Sequence, residues 1–320
     1  MSHRPLGRTG LLVSNLCFGT LTMSPCQANL SLEEGSELLR EAFERGVNFW
    51  DTAELYNNYS YLAKAVGKIQ QIPVIATKTY ASTWKEAEAS LERARKELNI
   101  DYIPIFMLHE QESGLTLEGH RAALEFFFEA VERGAVQATG ISCHTVAAVE
   151  AAIDFPEIDI IQPIINISGI GIKDGTLESM LIAVERAYNC GLGIYAMKVL
   201  GGGHLIPRAA EAISFAMELD FVHALALGIG SRDELLVNLC YLQGLEPPQH
   251  IYESLKNKTR TLLIEDWCSG CGSCIARCPQ GALSLHEDGI GKVRAVVDSS
   301  RCLFCGYCSA WCAEFCIKVY

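Results

Sequence analysis

The sequence predicts an α/β fold, a (β/α)8 barrel, followed by a small cysteine-rich α+β domain. Segments with the apolar spacing of helices alternate with short apolar segments typical of buried strands. There are eight of each over about 240 residues, which is the count and size of such a barrel. Two runs of cysteines then follow, one beginning at Cys268 and the other at Cys302. A doubly wound open sheet is the alternative for the first part of the chain, and the number of strands argues against it.

The elements follow one another with regularity. Turn glycines at Gly7 and Gly10 lie between short apolar pieces and predict a hairpin that leads into a buried strand near Leu16–Gly19. Further strands are predicted at 47–50, 73–76, 102–108, 136–140, 158–161, 192–197 and 222–228. Helices are predicted at 31–45, 58–68, 83–98, 118–132, 145–153, 176–189, 208–219 and 231–242.

The breaker pair Pro247–Pro248 ends this alternation. We therefore expect the barrel over residues 1–243, a linker with one short helix over 244–262, and the cysteine-rich α+β domain over 263–320.

Charge and hydropathy exclude several classes of partner. The formal net charge is −12, which argues against nucleic acid or an anionic membrane as a partner. No apolar run reaches the roughly 18 residues that a membrane-spanning helix needs, and Met1 begins no charged-then-apolar leader. We therefore expect a cytoplasmic protein in a reducing compartment.

The two cysteine runs share the spacing C-x2-C-x2-C-x3-C, which suits a four-iron cluster because each cluster is held by four thiolates. A zinc site would leave the third cysteine of each run without a role. A disulfide framework would need an oxidising compartment. The first run is Cys268, Cys271, Cys274 and Cys278, followed by Pro279, and the second is Cys302, Cys305, Cys308 and Cys312.

With this spacing, roughly the last sixty residues resemble a bacterial-type ferredoxin with two [4Fe-4S] clusters, in which the fourth cysteine of each run ligates the other cluster. The resemblance implies single-electron transfer, and an external electron carrier is a candidate partner. It implies one cluster on Cys268, Cys271, Cys274 and Cys312, and a second on Cys302, Cys305, Cys308 and Cys278.

Titratable residues follow three consecutive strands of the predicted barrel: Asp51, Lys78 and His109, with Tyr56 in the loop after Asp51. In a (β/α)8 barrel the chemistry lies at the carboxyl ends of the strands. One such residue alone is most often part of a structural ion pair, but four with complementary chemistry suggest protonation of a carbonyl oxygen. We expect Lys78, held by Asp51, to lower the pKa of Tyr56, and His109 to orient the oxygen.

The segments FWDTAELY at 49–56, IATK at 75–78 and LH at 108–109, with LGRTGLLVS near the start and GIS at 140–142, resemble the aldo-keto reductase family over about residues 4–242. That family has a (β/α)8 barrel that passes hydride from a nicotinamide to a carbonyl. The resemblance implies a catalytic tetrad of Asp51, Tyr56, Lys78 and His109, with a small-molecule carbonyl or alcohol as substrate and NADP or NAD as cofactor. It also implies that Ser142 and Gln162 hold the nicotinamide carboxamide and that Asn238 lies near the adenine.

Three departures from the family pattern concern the cofactor. Cys143 stands where the family commonly has Asn, and Met197–Lys198–Val199 stands where it commonly has an aromatic residue followed by Ser-Pro. The basic position that often holds the 2′-phosphate falls on Gly230, although Ser231 and Arg232 lie close by. Lys198 is either a rim lysine paired with a carboxylate or a cation that faces a phosphate or an anionic substrate.

The function expected from both parts is that of an iron–sulfur oxidoreductase that reduces a carbonyl compound, or oxidises the alcohol, with Tyr56 as proton donor. Electrons would come from NAD(P)H, from the clusters, or from both. A hydride carries two electrons and a cluster takes one, so a flavin is not excluded as a converter. Two alternatives remain: a redox-sensing or electron-transfer protein whose barrel binds a nucleotide or partner without turnover, and a plain reductase whose clusters are structural.

Overall fold

The computed structural model describes residues 1–256, 261–278, 280–289, 291–302, 308, 311–314 and 316–319. Its main body is a closed barrel of eight parallel strands, each hydrogen-bonded to the next along the chain, with the last strand pairing with the first. The prediction of a (β/α)8 barrel is therefore confirmed, and the open-sheet alternative is excluded. The barrel strands are β3 (Leu16–Gly19), β4 (Phe49–Asp51), β5 (Val74–Thr79), β6 (Ile103–Gln111), β7 (Val136–Cys143), β8 (Ile160–Pro163), β9 (Gly193–Met197) and β10 (Ala224–Gly228).

Helices follow the barrel strands and cover their outer faces. They are α1 (Leu32–Glu44), α2 (Tyr59–Val66), α3 (Trp84–Leu98), α4 (Gly114–Gly119), α5 (Arg121–Glu132), α6 (Val146–Ala152), α7 (Leu177–Asn189), α8 (Ala209–Met217) and α9 (Arg232–Leu242). Helix α1 illustrates the local cause: Ser31 and Glu34 form a capping box at its start, worth about 1 kcal/mol. It buries Leu38, Leu39 and Ala42 against the barrel.

An antiparallel hairpin of β1 (His3–Pro5) and β2 (Leu12–Ser14) precedes the barrel, as predicted. It covers the amino ends of the strands: the Arg8 amide donates to the carbonyl of Gly191, just before β9. Leu6, Leu11 and Val13 pack with the side chains that fill the barrel interior. One end of the barrel is thereby closed, which leaves the carboxyl ends of the strands for a site.

Three barrel strands extend further than the sequence predicts, so the titratable residues expected after them belong to the strands themselves. Asp51 is the last residue of β4 and pairs with Gly19 and Ala76, while Lys78 and His109 lie inside β5 and β6. The sequence placed all three just after their strands. The parallel ladder continues through Asp51 and Lys78, because their backbones pair with neighbouring strands whatever the polarity of the side chain. His109 lies at a register shift between Leu108 and Gln111. The helix predicted at 118–132 corresponds to α5, and a separate short helix, α4, precedes it.

In the C-terminal domain, the described residues form two small antiparallel strand pairs. After α10 (Gln249–Lys256), β11 (Leu262–Ile264) pairs with β14 (Ile317–Val319), and β12 (Leu283–Glu287) pairs with β13 (Val293–Val297) beside the short helix α11 (Ser273–Ala276). Its core contains Cys268, Cys274 and Cys308. Strand β14 packs on the 3-10 helix Gly201–Gly203, where Gly203 has a φ of 99° and a Cβ would collide with the carbonyl of Val319. The domain therefore lies at the carboxyl ends of the barrel strands.

In the part of the chain that the structure describes, no helix has both the length and the apolar character to cross a membrane.

Candidate active site

A cavity of about 1400 Å³ lies between the carboxyl ends of the barrel strands and the C-terminal domain. We call it the mouth cavity. Its volume exceeds the usual range for small-ligand sites and leaves room for a cofactor and a substrate together. The barrel contributes Asp51, Tyr56 and His109 to its wall, and the C-terminal domain contributes Glu265, Trp267 and Lys318.

At the base of the mouth cavity lies a buried ion pair. The Lys78 ammonium is 2.7 and 2.8 Å from the two carboxylate oxygens of Asp51 and also donates to the carbonyl of Thr52 at 2.8 Å. Both side chains are almost fully buried. A buried charge is tolerated when it is paired and hydrogen-bonded, so these bonds fix the Lys78 ammonium beneath the mouth cavity.

Tyr56 lies above this pair, in the 3-10 helix Glu54–Tyr56. The Lys78 Nζ is 5.5 Å from the centroid of the Tyr56 ring. Burial raises the pKa of Tyr56 well above its ordinary value, and the carboxylates of Asp51 and Glu110 raise it further. This direction is opposite to the one expected from the sequence, because the loss of hydration and two nearby carboxylates outweigh the attraction of one ammonium.

His109 faces Tyr56 with a centroid separation of 6.0 Å and stacks on Tyr80 at 4.6 Å. Burial, together with the ammonium groups of Lys78 and Lys198, lowers its pKa well below the ordinary value. The imidazole is therefore neutral near pH 7. Its Nδ1 is buried and has no hydrogen-bond partner among the described residues, so a ring nitrogen remains for a ligand oxygen or N–H.

The Asp51 carboxylate has two further partners. Tyr195 donates from its hydroxyl to Asp51 Oδ1 at 3.0 Å, and Gln162 donates from Nε2 to the same oxygen at 3.1 Å. Tyr195 was not among the site residues derived from the sequence, because nothing in its local pattern separates it from a core aromatic. The Gln162 Oε1 atom is buried without a partner among the described residues, which leaves an acceptor for an amide N–H.

A second polar chain runs along the wall of the mouth cavity. Tyr80 donates to Glu110 at 2.8 Å, the Glu110 carboxylate is 4.0 Å from His144 Nδ1, and Lys198 Nζ is 2.6 Å from His144 Nε2. Burial and the Lys198 ammonium lower the pKa of His144. The neutral ring therefore accepts from Lys198. Ser142 accepts from the Glu110 amide at 2.9 Å, so it supports this chain.

Two residues of this second row of polar side chains, Glu110 and Lys198, have unusual backbone conformations. Among the described residues, five that are not glycine have positive φ; three are asparagines, which tolerate it, and the others are Glu110 at 52° and Lys198 at 56°. For such residues this region costs about 1 kcal/mol or more and is found most often at functional sites.

The three residues expected near the adenosine part of a dinucleotide lie in different surroundings, and only one of them lines the mouth cavity. Asn238 is buried and lines the mouth cavity. Ser231 instead caps α9 by accepting from the Glu234 amide, and Arg232 pairs with Glu41 at 2.9 Å on the exposed surface. The Glu234 carboxylate accepts from the Gly230 amide at 2.7 Å. A carboxylate thus occupies the place where the family pattern suggested a phosphate site.

Three cysteines of the first expected cluster, Cys268, Cys274 and Cys312, belong to one small core. The thiol groups of Cys312, Cys268 and Cys271 each act electrostatically on Cys274 and, after burial, raise its pKa. Backbone amides donate to two of these sulfurs, from Ala295 to Cys268 and from Cys316 to Cys312. Such N–H···S bonds are typical of iron–sulfur ligands and tune the cluster potential.

Only part of the second expected set of cluster ligands lies among the described residues. Cys302 and Cys308 belong to the same small core as Cys278, whose sulfur accepts from the Ala282 amide at 3.3 Å. Cys305 lies outside the described residues. Within those residues, no three His, Cys, Asp or Glu side chains are close enough to hold a single metal ion.

Comparison with known proteins defines the class. A model of the aldo/keto reductase family matches residues 15–242, and a model of the 4Fe-4S dicluster domain matches residues 267–316. The chain belongs to the aldo/keto reductase family, a family of oxidoreductases, and carries a 4Fe-4S dicluster domain. Both resemblances expected from the sequence are confirmed.

Individual relatives are distant. L-galactose dehydrogenase of Arabidopsis thaliana is 26% identical over 217 residues, which cover 63% of this chain and 66% of the relative. Aldo-keto reductase AFTS1 of Alternaria alternata is 30% identical over 154 residues, which cover 33% of this chain and 41% of the relative. This chain thus matches less than two thirds of the length of these two relatives.

Solved structures share the fold. Aldo-keto reductase AKR11C1 of Bacillus halodurans, in its holo form, has a TM-score of 0.66 and 20% identity, covering 79% of this chain and 96% of that one. PA4992 of Pseudomonas aeruginosa has a TM-score of 0.65 and 22% identity, covering 76% and 94%.

Proposed function

We propose that this chain interconverts a carbonyl compound and the corresponding alcohol, with a nicotinamide dinucleotide as hydride carrier and Tyr56 as the proton donor in reduction. The observation that carries the proposal is the meeting of the buried Asp51–Lys78 pair, Tyr56 and neutral His109 at one wall of the mouth cavity.

The residues of the mouth cavity fit a nicotinamide. The buried Gln162 Oε1 has no partner among the described residues and can accept from a carboxamide N–H. Ser142 pairs with Gln162 between β7 and β8 and also lines the cavity. Asn238, in α9, lines another part of the wall. A bound nicotinamide supplies the hydride.

The chain's own residues supply the proton and hold the oxygen. As hydride reaches the carbonyl carbon, the C=O π electrons move to oxygen, and Tyr56 gives its phenolic proton to that oxygen. His109, neutral and buried, donates a hydrogen bond to the same oxygen from a ring nitrogen. The Lys78 ammonium stabilises the resulting phenolate, which regains a proton from solvent.

The raised pKa of Tyr56 favours the direction of reduction. A phenol that stays protonated is a proton donor at neutral pH, whereas alcohol oxidation needs the phenolate as base. Near pH 7 the protonated state of Tyr56 therefore suits carbonyl reduction.

The cysteines fit two [4Fe-4S] clusters with the ligand sets expected from the sequence. In support of this, the thiols of Cys312, Cys268 and Cys271 act electrostatically on Cys274. Backbone amides donate to the sulfurs of Cys268 and Cys312, and cysteine sulfurs with such hydrogen bonds are the donors that these clusters use. When bound, the clusters exchange single electrons with a redox partner or an external carrier.

The test is a screen of carbonyls and alcohols with NADH and NADPH under anaerobic conditions, using cluster-replete protein. We expect Tyr56→Phe to lower kcat by about 100-fold or more while the iron–sulfur absorbance is unchanged. Tyr59→Phe is the matched control, because Tyr59 is a buried tyrosine bonded to Thr77 at 2.7 Å and does not line the mouth cavity. Equal turnover in Tyr56→Phe and wild type would refute the role of Tyr56.

Anaerobic titration with NADH and then NADPH, followed by iron–sulfur absorbance and EPR, tests whether barrel and clusters form one electron path. Bleaching by either nucleotide supports a single path. Reduction by dithionite alone supports clusters that are uncoupled from the nicotinamide.

A further inference from the structure

The two cysteine repeats have the same hydrogen bond at their fourth cysteine. In the first repeat the amide of Ala282, four residues after Cys278, donates to the Cys278 sulfur at 3.3 Å. In the second repeat the amide of Cys316, four residues after Cys312, donates to the Cys312 sulfur at 3.3 Å. Ala282 and Cys316 are both 2% exposed, and each directly precedes a strand, β12 or β14. The repeats therefore present matched positions that carry a methyl group in one case and a thiol in the other.

The Cys316 thiol lies against the Cys312 sulfur. Their Sγ atoms are 3.1 Å apart, and both residues belong to the core of the C-terminal domain. A cysteine ligates a metal as the thiolate, whereas a thiol buried in apolar surroundings stays protonated near pH 7. Because a thiolate can only accept, Cys316 is the donor of an S–H···S hydrogen bond when Cys312 holds a cluster.

Cys316 is surplus to the ligands that the first cluster needs. A [4Fe-4S] cluster takes four cysteines, and the first expected set already supplies four at a spacing that the second run repeats. Cys268, which belongs to the same core and to the first set, also acts electrostatically on Cys316. The fifth thiol thus lies beside ligands of the first expected cluster, where a hydrogen-bond donor has an effect without being a ligand.

The first expected cluster lies beside the mouth cavity. Trp267, which lines the cavity, directly precedes Cys268 in the chain. Glu314 and Lys318, which also line the cavity, follow Cys312 by two and six residues. The two ends of the first ligand set are therefore next to the cavity wall.

We propose that Cys316 donates a hydrogen bond to the Cys312 sulfur and thereby raises the reduction potential of the first [4Fe-4S] cluster relative to the second. This inference rests on the proposed ligand sets and adds a residue that acts through a ligand. Reduction adds one electron, whose negative charge is shared by the ligating sulfurs, and a donor stabilises the more negative state. The bond shifts an electron shared between the two clusters toward the one beside the mouth cavity.

The experiment is an anaerobic redox titration with mediators and dithionite, followed by EPR, on full-length, cluster-replete protein. Cys316→Ala gives the second repeat the side chain of the first. At a fixed potential it should lower the ratio of reduced to oxidised first cluster about fivefold, which is about 40 mV for a one-electron couple. The midpoint of the second cluster should stay at its wild-type value.

Two further variants separate the hydrogen bond from the shape of the side chain. Cys316→Ser keeps a donor and should hold the midpoint of the first cluster closer to wild type than Cys316→Ala does. Ala282→Cys makes the reciprocal change and should raise the midpoint of the second cluster. If Ala282→Cys does not assemble its clusters, the comparison of the two Cys316 variants decides.

Cys190→Ala is the matched control, since Cys190 is an exposed thiol at the end of α7 in the barrel; both midpoints should equal those of wild type. Unchanged midpoints in Cys316→Ala with full iron content overturn the proposal, as does the same shift in Cys316→Ser. Loss of a cluster from Cys316→Ala but not from Cys312→Ala also overturns it, because Cys316 would then be the ligand. Iron and sulfide analysis of wild type tests the ligand sets separately, since two clusters need about eight irons per chain.

Discussion

Tyr195 donates a 3.0 Å hydrogen bond from its hydroxyl to Asp51 Oδ1, across the interior of the barrel. Both groups are buried, and the same carboxylate also accepts from Lys78 and Gln162. Asp51 is therefore fixed from three strands, and through Asp51 the Lys78 ammonium is fixed below Tyr56.

Removing the Tyr195 hydroxyl should slow the reaction without changing the reacting groups. A hydrogen bond to a charged acceptor contributes about 1.5–3 kcal/mol, so Tyr195→Phe should lower kcat about tenfold at nearly constant KM, with a melting temperature lower by several degrees. Tyr59→Phe, which loses a buried hydrogen bond to Thr77, should lose similar stability but keep kcat. Steady-state kinetics and thermal unfolding measure both. Equal kcat in the two variants would show that Tyr195 only stabilises the fold.

Glu234 should set the choice of dinucleotide. Its carboxylate is bonded to the Gly230 amide, and Arg232 is turned to Glu41 outside the mouth cavity. A 2′-phosphate would meet a negative charge there, so we expect NADH to bind at least tenfold more tightly than NADPH. Glu234→Gln removes the negative charge and should bring the affinities for NADH and NADPH closer together. Fluorescence titration of both nucleotides measures it, and a wild-type preference for NADPH would contradict the expectation.

Opposite pH dependences are expected for the two directions of the reaction. The pKa of Tyr56 lies well above 10 and that of His109 well below 6.5, so neither group changes charge between about pH 6.5 and 9. The kcat for reduction should be flat across that range. Oxidation needs the phenolate and should rise about tenfold per pH unit. Initial rates in both directions provide the measurement; a reduction rate that falls steeply between pH 7 and 9 would mean that Tyr56 titrates there.

The local pattern was sufficient for the barrel, because the alternation of helices and strands is a property of short segments. It also predicted that Asp51, Tyr56, Lys78 and His109 lie at one end of the barrel, while their roles as a catalytic tetrad stay a prediction. It was not sufficient for Tyr195, which reaches Asp51 over 144 positions of sequence and looks like any core aromatic. The sequence likewise did not reveal that the Gln162 side-chain amide donates a hydrogen bond to Asp51. Lys318 enters the cavity only because β14 packs on Gly203, a docking contact that no periodicity reveals.

Removal of the clusters should unfold the C-terminal domain and leave the barrel folded and active. The C-terminal domain has a small core rich in cysteines, so anaerobic removal of iron with a chelator should unfold it, as expected where metal binding supplies the folding energy. The barrel has its own large core and should keep its far-UV signal. Turnover of a carbonyl substrate with a nicotinamide dinucleotide should persist, and initial rates before and after chelation measure it. Loss of turnover together with the iron–sulfur absorbance would show that the barrel site needs the iron–sulfur domain in place.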